Sequence, residues 1–257
     1  MNESRPGKLY KYQPFSDYAL ANLAENKLRF SSPKDFNDPF EFCVQFDRRQ
    51  PDADEAVAIR EICRGLAAQH GVPFNQEEPM EPLVEAVEEV SKRKQREFRE
   101  VGVACFSAIN DHPLMWAHYS DGHRGFCLEF STRSEPFAKA IKVNYRETIP
   151  KIDLIKAMLE DDLTGYFHLA VANKLRAWRY EKEWRCFHVK KGGTLFGYEP
   201  SHLTAIYFGL RMKDAHKKVL SAILAKAPTK LYQMIKSSGG YEVEAQPCEF
   251  SQPDYRN

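Results

Sequence analysis

Short runs in which every second residue is apolar recur along this chain, separated by longer runs with helical spacing. In Gly125 to Phe130, Phe126, Leu128 and Phe130 face one way while Cys127 and Glu129 face the other. From Phe40, the residues Phe40, Phe42, Val44 and Phe46 alternate with Glu41, Cys43 and Gln45. A period of two gives a strand one dry face and one wet face, which predicts half-buried strands at both places. Further strands are predicted at Leu9 to Tyr12, Leu28 to Ser31, Val101 to Ser107, Ile141 to Tyr145, Lys182 to Val189, Leu203 to Phe208, Lys230 to Ile235 and Tyr241 to Glu249. Ser16 caps a helix over Asp17 to Asn26, with Tyr18, Leu20, Leu23 and Ala24 as its apolar stripe. Other helices are predicted from Pro113 to about Ser120, over most of Ile152 to Trp178, and at Lys213 to Lys226. Strands separated by helices without a regular βαβ rhythm predict an α+β fold, with a mixed or split β-sheet and flanking helices.

Residues 53–100 differ in character. Ala53 to Gln69 and Glu81 to Glu100 both carry helical periodicity, with Gly71, Pro73 and Pro79 between them, so a helical hairpin inserted on the sheet is expected. No repeat or low-complexity linker divides the 257 residues, which predicts a single α+β domain over 1–257. A formal charge of +1 supplies no overall field toward nucleic acid or an anionic membrane. No run approaches the ~20 apolar residues of a membrane span, and the first residues lack the apolar core of a secretory signal. A cytoplasmic protein without a membrane partner is the expectation. The cysteines at 43, 63, 105, 127, 186 and 248 form no C-x-x-C pair, and all but Cys63 fall in strand-like runs. Reduced thiols that bind no zinc are expected.

Polar groups meet aromatics in four segments. In the turn Phe36-Asn37-Asp38-Pro39-Phe40-Glu41, the two phenylalanines would pin the backbone and hold Asn37, Asp38 and Glu41 inward. A well-packed turn, with Asp38 bonding nearby amides, explains the same residues. Met115 to His123 includes Trp116, His118, Tyr119 and His123 close to His112, but their spacing matches no pattern characteristic of zinc. A hydrogen-bonded core histidine and a ligand-positioning pair, His118 with Tyr119, both remain open. In Trp178 to Phe187, a strand would place Glu181, Glu183 and Arg185 on one face. Carboxylates two residues apart on one face need cations or ligand hydroxyls to compensate them. Such a carboxylate beside aromatics has the means to shift its pKa. The last segment pairs Lys11 and Tyr12 on the first strand with Ser31 and Ser32 at the end of the next, where a phosphate or ribose would find a cation and hydroxyls.

These residues resemble a widespread bacterial family known as a domain of unknown function. It shares an L-Y-K-Y-like opening strand, here Leu9 to Tyr12, and the stretches Phe30 to Glu41, Met115 to Phe130 and Tyr180 to Arg185. The order of a cation on the first strand, Ser-Ser on the second and Glu-x-Glu late in the chain is also similar to ADP-ribosyltransferases. That resemblance implies NAD as substrate, held in a cleft between two small sheets. Lys11 would stand where that fold carries arginine or histidine. Ser31 and Ser32 would shape the cleft, and Glu183 would be the catalytic carboxylate. Around them, Tyr12, Asn37, Asp38 and Trp116 would contact the nucleotide, while His118 and Tyr119 would support the chemistry. Glu41, His123, Glu129, Glu181 and Arg185 complete the expected site, with no metal. The partners implied are a small-molecule nucleotide and a protein or nucleic-acid acceptor, as in a toxin or phage-defence protein. Two other functions stay open: a metal-dependent hydrolase or nuclease using Asp38, Glu41, Glu129 and His118, and a non-enzymatic ligand sensor.

Overall fold

The computed structural model describes residues 4–47, 49–71, 73–75, 96, 100–160, 163–189, 191–225 and 227–249. The chain opens with β1 (Lys8–Gln13), α1 (Asp17–Ala24) and β2 (Lys27–Phe30). The short β3 (Gln45–Asp47), α2 (Ala53–His70) and β4 (Gly102–Ser107) come next. Then follow α3 (Pro113–Tyr119), β5 (Phe126–Ser131), β6 (Ile141–Lys142), β7 (Asn144–Arg146) and β8 (Lys151–Asp153). Two helices, α4 (Leu154–Glu160) and α5 (Leu163–Val171), lead to β9 (Asn173–Leu175), a 3-10 turn at Arg176–Glu181 and β10 (Glu183–His188). The remaining elements are β11 (Thr194–Gly197), β12 (Leu203–Phe208), α6 (Asp214–Ile223), β13 (Lys230–Lys236) and β14 (Val243–Pro247). The fold is α+β, as the periodicities predict. Among the described residues, no helix is long and apolar enough to cross a membrane.

Eight strands form one mixed sheet in the order β14-β13-β12-β5-β1-β4-β10-β6, antiparallel throughout except between β12 and β13. Side-chain alternation divides its core. Leu9, Phe106, Leu128, Phe130, Trp184 and Ile206 pack on one face with Leu23 of α1 and Leu220 of α6. Tyr12, Cys127, Tyr207 and Met234 pack on the other with Met115 and Trp116 of α3.

The sheet is split at its centre. β4 pairs with β10 over six residues, but its other edge meets β1 at the single pair Tyr10 and Ser107. At the far end of that edge Ser31 bridges Val103, so the end of β2 takes the place that β1 has left. Between these two closures the strands diverge. There the Lys11 Nζ donates to the Cys105 carbonyl at 3.1 Å, a side chain supplying what a ladder hydrogen bond would have supplied.

Several expected elements are rearranged. The run Phe40 to Phe46 is no strand beyond β3. Asp38 accepts the Phe40 amide at 2.9 Å, Phe42 takes a positive φ of 60°, and Phe40 is 63% exposed while Glu41 is buried. An Asx turn therefore overrides the alternation at its start, turning Phe40 out and Glu41 in, while Phe42 and Val44 stay buried. The long helix expected to Trp178 breaks into β8, α4, α5, β9 and the 3-10 turn. Ile141 to Tyr145 divides between β6 and β7, which lie in different sheets. In α1 the buried residues are Ala19 and Leu23, with Tyr18 turned outward. The first helix of the expected hairpin is α2; the second, over 81–100, lies almost wholly outside the described residues.

All six cysteines are free thiols, although Cys43 lies in a turn and Cys248 just past β14, not in strands. Burial pushes the Cys105 and Cys127 thiols well above their ordinary value and Cys186 up to about 12. A thiol reagent is expected to count six thiols on unreduced, denatured protein, and to reach Cys105, Cys127 and Cys186 last on the native fold. A count of four would mean a disulfide and would contradict the structure.

Candidate functional site

The mouth of β10 holds a buried ionic cluster. Glu181 ends the 3-10 turn and Glu183 opens the strand, with Lys182 between them at a φ of 44°. Ser107 donates to the Glu181 carbonyl at 2.6 Å, and the Glu183 amide donates to the Tyr145 hydroxyl at 2.8 Å, so both backbones are fixed. Arg185 is fully buried. Its Nε reaches Glu183 at 2.8 Å, one Nη reaches Glu41 at 2.8 Å, and the other reaches the Val171 carbonyl at 2.7 Å. Lys174 of β9 contacts three carboxylates: Glu181 at 2.6 Å, Glu183 at 2.9 Å and Glu41 at 3.1 Å. Phe36 and Phe42 lie 5.7 and 5.4 Å from the Arg185 guanidinium and seal it from water.

Three carboxylates against two cations leave one negative charge in excess when all are ionised. The protein relieves it unequally. Burial alone would raise Glu183, but Arg185 and Lys174 outweigh it and hold the carboxyl far below the usual range. At Glu181 burial wins, aided by the Glu183 charge, and its pKa is raised despite Lys174 and a 2.5 Å hydrogen bond from Tyr119. One site thus contains a carboxyl held far below its ordinary pKa and a second held above it.

Both carboxyls line a cavity of about 140 Å³, together with Lys11, Tyr12, Asn37 and Tyr119. A larger groove of about 600 Å³ adjoins it, lined by Ser31, His118, Arg29 and Tyr18, and shares Lys11, Tyr12 and Tyr119 with the cavity. The two spaces meet at the split in the sheet.

Other expected site residues sit elsewhere. Asp38 accepts from the Trp178 indole at 2.8 Å and supports the site from behind. Glu41 does likewise through Arg185 and Lys174. Trp116 is fully buried, its indole donating to the Asn110 carbonyl and its ring edge-on to Tyr12, so it is core and cannot stack on a ligand. His123 takes a φ of 68° in the turn after α3 and stacks on Trp116, with burial and Arg211 lowering its pKa. Ser32 caps the short turn at Pro33–Asp35 and lines neither space. Glu129 belongs to a separate cluster with Tyr207 at 2.5 Å, Thr204 at 2.6 Å and Lys8 at 2.9 Å. With Glu129 there and Glu41 bound to cations, Asp38, Glu41, Glu129 and His118 are not gathered as ligands of one metal. Among the described residues, no group of three His, Cys, Asp or Glu side chains is placed to hold a metal ion.

Sequence reasoning missed Lys174, which lay in a segment read as helix. One signal for it existed: three inward carboxylates opposed by Arg185 alone require a second cation.

Residues 115–186 match the family model described as Protein of unknown function (DUF2971). The matched stretch runs from α3 into β10 and carries Tyr119, Lys174, Glu181, Glu183 and Arg185. No curated protein and no solved structure matches the chain.

Proposed function

We propose that this protein cleaves the bond between nicotinamide and ribose in NAD, passing ADP-ribose to water or to an acceptor. The observation that carries the reading is a buried cluster of three carboxylates and two cations facing a small cavity at the split between β1 and β4. NAD presents a cationic ring there, and bond cleavage moves positive charge onto the sugar. A cavity of roughly 150 Å³ holds one benzene-sized ring, which suits nicotinamide in the inner space and the remaining dinucleotide in the groove. The groove offers Ser31, His118 and the Lys11 amine.

In this reading the bonding pair between ribose and nicotinamide leaves with the ring nitrogen, giving neutral nicotinamide and an oxocarbenium-like sugar. The fixed charge of Glu183 opposes that developing charge, an interaction made in the transition state more than in the ground state. Glu181, as a carboxylate, takes the proton from the attacking water or acceptor hydroxyl, and a new bond forms at the anomeric carbon. Tyr119, hydrogen-bonded to Glu181, fixes the direction of that transfer.

Purified protein incubated with NAD is expected to release nicotinamide, measured by chromatography, and to melt at a higher temperature with NAD present. Absence of both the release and the shift would defeat the proposal. A shift without release would favour a sensor over an enzyme.

The raised pKa of Glu181 gives the reading a pH signature. Activity requires Glu181 without its proton, so the rate should fall as pH drops through a value above the ordinary carboxylate range. A rate that holds down to the usual carboxylate pKa would remove Glu181 from the proton transfer.

A further inference from the structure

Two lysines face the same cavity in opposite surroundings. Lys174 is bound by three carboxylates, which raise its pKa, outweighing a burial that acts to lower it, and hold it as an ammonium. Lys11 has no carboxylate partner among the described residues. Its one hydrogen bond runs to the Cys105 carbonyl, and its amine lies 5.2 Å from the centre of the Phe106 ring. It also stands where the cavity and the groove meet, so a ligand entering from either space passes it. From this geometry we propose that Lys11 is a reactive amine that captures an aldehyde ligand as a reversible imine.

The chemistry requires little of the protein. The Lys11 nitrogen adds to the carbonyl carbon, water leaves, and a C=N bond joins the ligand to β1. The Cys105 carbonyl and the Phe106 ring fix where the amine sits, and burial without a carboxylate partner disfavours its charged form. Burial does lower the Lys11 pKa, against the opposing pull of the neighbouring thiols and Glu183. A lysine whose task was only to pair with a fixed anion would be expected beside a carboxylate, as Lys174 is. The candidate ligands are short aldehydes and the open-chain forms of reducing sugars. The inference is separate from NAD cleavage, and its test contains no NAD.

The full chain is treated at neutral pH with glyceraldehyde and cyanoborohydride, which reduces the imine to a stable amine, and adducts are mapped by peptide mass spectrometry. Lys11 is expected to be labelled roughly tenfold faster than the exposed lysines, with Lys174 unlabelled. Lys11→Arg should lose that adduct while keeping the donor to the Cys105 carbonyl. Labelling of Lys11 at or below the rate of exposed lysines overturns the proposal, as does preferential labelling of Lys174. The wild-type map decides the matter even if the variant does not fold.

Discussion

Glu183→Gln is expected to reduce nicotinamide release by about 10²- to 10³-fold, the cost of removing one preorganised electrostatic group from a transition state. The variant removes the charge and keeps the shape, so the loss should fall on kcat with little change in KM. Its effect on stability is expected to be modest. Without Glu183, Glu41 and Glu181 remain against Lys174 and Arg185, two charges against two. Glu181 is freed from a like charge and should then ionise more readily, moving the acid limb of the pH–rate profile downward. A Glu181→Gln variant also leaves two carboxylates against two cations, but it lacks the proton acceptor and should lose the acid limb altogether. Equal NAD consumption by wild type and Glu183→Gln would defeat the transferase reading. If Glu183→Gln instead fails to fold, the catalytic and structural roles are separated by Glu181→Gln, which leaves the Arg185 contacts to Glu183 and Glu41 in place.

Arg185→Met is expected to cost about 3–5 kcal/mol of stability, because it strands buried carboxylates while leaving the volume filled. For a chain of this size that corresponds to a fall in melting temperature of roughly 10 °C. Two carboxylates, Glu41 and Glu183, each lose a charged partner, and the Val171 carbonyl loses its donor. Lys174 alone cannot neutralise what remains. Adding Glu41→Gln to Arg185→Met should recover part of the loss, since two neighbouring sites that share a partner do not add independently. A melting temperature unchanged by Arg185→Met would mean that water reaches the cluster and that the site is not sealed. Arg185→Lys should also destabilise, because one ammonium cannot replace a planar fork that reaches Glu41, Glu183 and the Val171 carbonyl at once.

Elements that depend on local periodicity and caps were legible along the chain. Alternation located β5 and apolar runs located β10 and β12 to within a residue or two, but the expected wet face of β5 is buried, since elements pack on both sides of the sheet and Cys127 and Glu129 lie inside. Ser16 and Pro113 marked the starts of α1 and α3 through backbone chemistry that is local to each helix end. Like charges at Glu181 and Glu183 likewise announced a site in need of compensation, although Glu181 reaches it from the 3-10 turn and not from a shared strand face. What the tertiary structure decided was which cation compensates them and what they face. Lys174 reaches Glu181 and Glu183 from a strand that reads as helix, because its pairing with β7 is a long-range choice that outweighs local propensity. Glu41 is drawn inward by Arg185, 144 residues away, and that pull, with the Asp38 turn, exposes Phe40 against the alternating pattern. Glu129 looks equivalent to Glu183 along the chain, yet it lies beyond β1 with Tyr207 and Lys8 in another cluster. The split that joins the cavity to the groove arises because β1 and β4 pair at one point and then diverge, and pairing between strands some ninety residues apart leaves no mark on either strand's own sequence.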